Sequence, residues 1–152
     1  MKKPIPLSLD MLGTVVGGQS GLTFTSPDGG VTLGTAGDDH IQGYGGHDTI
    51  DAGAGNDVVH AGDGVDLVIW RPDGGNDLVN GGEGQDVLSI EAYGLTPDQV
   101  LAAFSVAPGE PAPIYNPQTG LFDVTGVTGS VTIDGAVLHF SNFETLFIPM
   151  VR

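Results

Sequence analysis

The sequence predicts an all-β protein: a right-handed parallel β-roll (β-solenoid) with a β-rich C-terminal cap. Two observations predict it. Residues 34–91 repeat with a period of nine, and a fixed short period is the signature of a stacked-coil architecture. Beyond them, residues 130–140 alternate apolar and polar side chains around Asp134-Gly135, the pattern of a two-residue β-hairpin. The 152 residues suit one core with decorated ends. Their 39% hydrophobic content, regularly placed, argues against a disordered Gly-rich linker even with 26 glycines.

From Gly34 the copies read GTAGDDHIQ, GYGGHDTID, AGAGNDVVH and AGDGVDLVI, then WRPDGGNDLVN, two residues longer, then GGEGQDVLS. In each, an Asp stands two residues before an aliphatic residue. The Asp series is Asp39, Asp48, Asp57, Asp66, Asp77 and Asp86; the aliphatic series is Ile41, Ile50, Val59, Val68, Val79 and Leu88. The fourth position is Gly throughout: Gly37, Gly46, Gly55, Gly64, Gly75 and Gly84. The first six residues of a copy form a turn, because Gly enters left-handed conformations without a Cβ clash. The last three form a minimal strand whose middle side chain points into the core, where each contributes roughly 1.5–3 kcal/mol. One copy is half a coil and two copies, eighteen residues, a full one.

The flanks follow other rules. Residues 1–33 form a lead-in, in which LTFTSPDGGVTL (22–33) reads as a hairpin or as a strand entering the roll. The opening MKKPIPLSLDMLG is basic, but Pro4, Pro6 and Asp10 interrupt the apolar run that a signal peptide needs. Residues 92–152 form the cap. Thr96, Pro97 and Asp98 predict a helix start with Thr as N-cap, giving a helix over about 97–104. Residues 107–120 are Pro-rich and read as a loop, and FETLFI (143–148) as a last strand.

Charge points to the ligand. Asp and Glu total 19 against 4 Lys and Arg, a net charge of −15. Such a chain is not expected to bind nucleic acid, which needs Lys/Arg clusters, or anionic membranes, and no apolar run is long enough to insert as a helix. With no Cys, thiol catalysis and zinc thiolate sites are excluded. Three of the four histidines, His40, His47 and His60, fall at variable repeat positions. Eighteen-residue coils place Asp39 over Asp57 and Asp48 over Asp66, where bare carboxylates repel. A Ca²⁺ between them would bridge them, with carbonyl oxygens of the curled turns completing six to eight hard ligands.

The copies resemble the G-G-x-G-x-D-x-U-x nonapeptide of the RTX, or haemolysin-type, calcium-binding proteins, over residues 34–91. The resemblance implies that each ion takes the Asp of one copy and the Asp two copies on. It adds the carbonyls of positions 2 and 4 of the first copy and positions 1 and 3 of the second. On this chain the first site is Thr35, Gly37 and Asp39 with Ala52, Ala54 and Asp57. The second is Tyr44, Gly46 and Asp48 with Ala61, Asp63 and Asp66. The third is Gly53, Gly55 and Asp57 with Pro72, Gly74 and Asp77. The fourth is Gly62, Gly64 and Asp66 with Gly81, Glu83 and Asp86. The two-residue insertion at Trp70–Asp73 is expected to bulge its turn and distort the third site, with Trp70 and Arg71 in a surface bulge.

No H-E-x-x-H, G-x-S-x-G, dinucleotide or P-loop pattern occurs, so the chain is expected not to be an enzyme. The expected function is a calcium-binding repeat domain that folds on Ca²⁺ binding in a secreted or cell-surface, hence extracellular, protein. The alternative is a calcium-binding accessory module of a secreted polysaccharide-modifying enzyme or hydrolase. The resemblance further implies type I secretion. The expected partners are calcium ions; a protein or glycan partner is not specified by the sequence.

Overall fold

The nine-residue copies place their strands alternately in two sheets. The computed structural model describes residues 23–25, 28–72 and 75–149. One sheet takes β1 (Thr23–Thr25), β3 (His40–Gln42), β6 (Val58–Gly64) and β8 (Asn76–Gly84), side by side and parallel, with the short β4 (Gly45–Gly46) also on β6. The other takes β2 (Gly30–Leu33), β5 (Asp48–Asp51), β7 (Leu67–Trp70) and β9 (Val87–Ile90), likewise parallel. The register is eighteen residues in the first coils, as in Ile41↔Val59 and Ile50↔Val68. It becomes twenty where the insertion is crossed, as in Val59↔Val79 and Val68↔Leu88. The two extra residues are absorbed between strands, so the pairing survives them. Parallel strands buried on one face need the aliphatic residue at the strand centre, and Ile41, Ile50, Val59, Val68, Val79 and Leu88 are all at most 1% exposed.

β1 and β2 lie in different sheets and pair with β3 and β5, not with each other. Of the two readings of residues 22–33, the hairpin is therefore wrong and the entering strand is what forms. The lead-in before Thr23 lies outside the described residues.

After β9 the chain leaves the period but returns to both sheets. Helix α1 (Pro97–Ala103) starts where the sequence predicts. The Thr96 hydroxyl accepts from the Gln99 N–H, and the Gln99 side chain accepts from the Thr96 N–H, a reciprocal capping box. β10 (Phe104–Val106) then pairs with β13 (Gly129–Ile133), and β13 turns through Asp134 and Gly135 into β14 (Ala136–Ser141). Both turn residues have positive φ, 53° and 89°, as a two-residue hairpin requires. The loop expected over 107–120 holds a short strand, β11 (Ile114–Asn116), paired with β12 (Leu121–Asp123). It lies at the outer edge of its sheet, where flanking prolines interrupt no ladder on the open side. Tyr115 adds a ring contact with Phe122 at 4.9 Å.

Two of these late strands extend the repeat stack. β14 runs parallel to β8 and β15 (Thr145–Phe147) parallel to β9. Phe140 sits beside Val79, and Leu146 beside Leu88. Two apolar ladders result, Ile41–Val59–Val79–Phe140 and Ile50–Val68–Leu88–Leu146. Both feed one buried cluster. Phe104 packs edge-on against Phe140 at 5.8 Å and Val100 of α1 is 1% exposed, so aromatic rings and the helix cover an end that a stack of coils cannot cover by itself.

Candidate metal centre

Each copy turns from one sheet to the other through a Gly-rich bend that ends on its Asp. The bends therefore stack along two opposite edges. One edge carries Asp39, Asp57 and Asp77; the other carries Asp48, Asp66 and Asp86. All six are buried, none more than 4% exposed. Six buried carboxylates are costly unless something charged or hydrogen-bonding meets them.

The backbone meets one oxygen each of Asp57, Asp66, Asp77 and Asp86. The Asp39 N–H donates to Asp57 Oδ1 at 2.8 Å, and the Asp57 N–H to Asp77 Oδ1 at 2.7 Å. On the other edge the Asp48 N–H donates to Asp66 Oδ1 at 2.8 Å and the Asp66 N–H to Asp86 Oδ1 at 2.9 Å. One oxygen thus faces the coil before. The other oxygens of Asp57, Asp66 and Asp86, the three Oδ2 atoms, are buried and receive no hydrogen bond. In the first copy Thr35 donates through its N–H and its hydroxyl to Asp39 Oδ2, at 2.6 and 2.8 Å, and Oδ1 is the bare atom. Burial is the main reason the Asp57 carboxyl is pushed up to about 7, against a backbone hydrogen bond that lowers it; the neighbouring Asp77 and Asp39 charges add to the rise. Asp86 rises to about 6, again chiefly by burial.

Carbonyl oxygens crowd the same layers. Those of Thr35, Tyr44, Gly46, Gly55, Gly62 and Gly64 point at a glycine of the next coil, where a Cβ would meet them at 1.5 to 2.3 Å. Those of Ala52 and Ala61 point back at Gly34 and Gly43, at 1.8 and 2.1 Å from where a Cβ would stand. Carbonyls of positions 2 and 4 therefore face glycines of the next coil, and those of position 1 face glycines of the coil before, at approaches that only glycine leaves open. Gly64, with φ 150°, shows the need most directly: a Cβ there would lie 1.6 Å from the Gly46 carbonyl oxygen. Two of these oxygens already accept ladder bonds, Thr35 O from the Ala54 N–H and Tyr44 O from the Asp63 N–H; a carbonyl has a second lone pair for another partner. Among the described residues no three His, Asp or Glu side chains converge. A metal here would take two carboxylates and a majority of backbone oxygens, a donor set that fits a hard divalent cation such as Ca²⁺.

The expected site residues divide by what the structure brings together. The Asp pairs 39/57, 48/66, 57/77 and 66/86 are in contact, and Gly37 lies against Gly55. The Asp63 and Glu83 side chains are exposed and register with each other on the outside, so only their main chain reaches a gap. Tyr44 has φ 70° and an exposed ring, holding a left-handed position without glycine. Gly53 and Gly81 are glycines that carbonyls approach, from Thr35 and Asn142. Pro72 is half-buried, and Gly74 lies outside the described residues.

Asp73 of the insertion lies outside the described residues, but Trp70 and the Asp57–Asp77 pair do not behave as expected. The Asp57–Asp77 contact has the same form as the other three, and Gly55 O meets Gly75 as Gly46 O meets Gly64. Trp70 is not in a surface bulge: it ends β7, is 3% exposed, and its indole N–H donates to Asp77 Oδ2. Arg71 bridges successive coils, 2.6 Å from Asp51 and 3.3 Å from Glu91.

Residues 33–68 and 73–89 match the family model of the RTX calcium-binding nonapeptide repeat, in four copies. This segment is an RTX repeat array. The match covers the coils whose Asp residues line the two edges. No curated protein and no solved structure matches the chain. The RTX array ends, by sequence, at residue 89, yet the carboxylate series does not. The Asp86 N–H donates to Glu144 Oε2 at 2.8 Å, so Glu144 holds the place of a further repeat Asp. Glu144-Thr145-Leu146 keeps the acid-x-aliphatic spacing of the copies, a signal hidden by a separation of 58 positions from Asp86 to Glu144.

Proposed function

We propose that this chain is a calcium-triggered folding module of a secreted or cell-surface protein and not an enzyme, with its RTX segment wound as a right-handed parallel β-roll. One observation carries the reading: buried Asp oxygens without a donor lie in the same stacked bends whose backbone carbonyls crowd the glycines of the neighbouring coil. The RTX segment has 12 acidic residues and Arg71 as its single base. Without a cation, closing the coils brings these charges together in a medium of low dielectric, which opposes folding. Ca²⁺ supplies the positive charge that the layers lack, so binding free energy becomes folding free energy. The chain's own part is to hold the oxygens: Gly at positions 1, 2 and 4 lets the coils approach, and the N–H groups of Asp39, Asp48, Asp57 and Asp66 fix the carboxylate of the following coil. Sites built from few charges and many carbonyls belong with affinities of about 10⁻⁴–10⁻³ M, which the millimolar calcium outside cells fills. Among the described residues no helix is long and apolar enough to cross a membrane.

Circular dichroism tests the coupling. In EGTA the strand signal is expected to be weak, and added Ca²⁺ restores it. A strong, calcium-independent strand signal contradicts the proposal.

A further inference from the structure

We infer that Asp86, Asn142 and Glu144 form an additional calcium site, one that the nonapeptide pattern does not include, at the junction of the last repeat with the C-terminal strands. The inference rests on the calcium reading above. It starts from the repeat gap between Asp48 and Asp66. There a Cβ on Gly43 would stand 2.1 Å from Ala61 O and 2.8 Å from Asp48 Oδ2. At Gly81, one position-1 glycine further along the same edge, it would stand 2.0 Å from Asn142 O and 2.9 Å from Asp86 Oδ2. Asn142 O therefore takes the place of Ala61 O, and Asp86 Oδ2 that of Asp48 Oδ2.

The carboxylate of the next coil is also in place. The Asp86 N–H donates to Glu144 Oε2 as the Asp48 N–H donates to Asp66 Oδ1. The Thr145 N–H donates to Asp86 O at 3.1 Å, as the Val87 N–H donates to Asp66 O at 2.8 Å. The independent sign of a missing cation is Asp86 Oδ2: its residue is fully buried, the atom receives no hydrogen bond, and it points into this gap. Two carboxylates and the Asn142 carbonyl are then within one layer, with the Gly82 and Gly84 carbonyls at the positions that face the other gaps.

The turn differs in length. Phe140 to Leu146 spans six residues where two aliphatic positions of the repeat span nine. A bend three residues shorter carries fewer carbonyls. Glu144 nonetheless reaches the Asp86 N–H, at 2.8 Å. Asn142 meets the tighter bend with φ 55°, a left-handed conformation that Asn tolerates better than most residues. Gln85, Asp123 and Glu144 line an open groove, so the Glu144 side of the junction borders solvent. With fewer carbonyl ligands, this site should be the last to fill as calcium rises.

Equilibrium dialysis of the full chain against ⁴⁵Ca²⁺ tests the site, with Glu144→Gln as the variant, since the amide still accepts the Asp86 N–H. The expected result is one fewer calcium ion per chain in Glu144→Gln, with the calcium-induced strand signal retained and Glu110→Gln unchanged as a control. An equal count in Glu144→Gln and wild type overturns the inference while leaving the repeat sites standing. No calcium on the wild type overturns the calcium reading itself. Should Glu144→Gln fail to fold, the anomalous map of wild-type crystals grown in calcium decides: a peak between Asp86 and Glu144 supports the site, and peaks in the repeat gaps without one here refute it.

Discussion

The two edges of the stack begin alike and end differently. On one, Asp39, Asp57 and Asp77 succeed each other, and the series closes on an indole: Trp70 donates to Asp77 Oδ2, the oxygen that the Asp57 N–H does not hold. On the other, Asp48, Asp66 and Asp86 succeed each other in the same geometry, but Asp86 Oδ2 has no donor and Glu144 stands in the next coil. A stack of carboxylates needs a terminus, because its last onward-facing oxygen otherwise lies buried and unmatched. A neutral N–H stops one series. An acid from outside the period lengthens the other.

The largest effect is expected where a carboxylate serves two gaps. Asp66→Asn removes charge from both of its layers and should cost about 3 kcal/mol in millimolar calcium, the order observed for breaking a buried charged arrangement; urea unfolding measures it. A loss as small as that of an exposed Asp, such as Asp63→Asn, would mean that the edge does not depend on its buried charge. Next comes the closed end. Trp70→Phe keeps the ring and deletes the donor to Asp77, and should cost roughly 1–3 kcal/mol without changing the calcium dependence of the Glu144 edge.

Protons are the third lever. The Asp57 and Asp86 carboxyls rise in the folded state to about 7 and about 6, from 3.8. Folded pKa values above the unfolded ones mean that the folded state holds the extra protons. Their contribution in EGTA is complete below about pH 4 and is lost as pH rises through 6 to 7. The calcium-free chain should accordingly show more strand signal near pH 4.5 than near pH 8. Calcium must displace these protons, so its affinity should rise over the same interval. The smallest effect is expected for Arg71→Ala, whose partly exposed contacts with Asp51 and Glu91 are worth at most about 1 kcal/mol.

The repeat strands, the six buried Asp residues and the aliphatic ladders were legible because three residue types recur in phase. Helix α1 and the Asp134-Gly135 hairpin were legible from local chemistry, a cap and a turn. The last rung was not. Phe140, Glu144 and Leu146 satisfy the same spatial pattern as Val79, Asp86 and Leu88, but a long excursion and a shortened turn remove them from the nine-residue period. Trp70 differs for a related reason: an insertion reads as a surface event in one dimension, while Trp70 completes the paired strand β7 and turns its indole inward to Asp77. Residues 22–33 show the limit of a turn signal, since Asp28 and Gly29 precede β2, which pairs with β5 of another coil rather than with β1.

The central claim is that the buried Asp series holds calcium between successive coils. Calorimetric titration of the full chain with Ca²⁺, wild type against Asp57→Asn, tests it most directly. Asp57 belongs to the Asp39 gap and the Asp77 gap, so the account predicts the loss of two bound ions, while Asp51→Asn, on the outer face beside Arg71, loses none. An unchanged stoichiometry in Asp57→Asn, or an equal loss in Asp51→Asn, would contradict it.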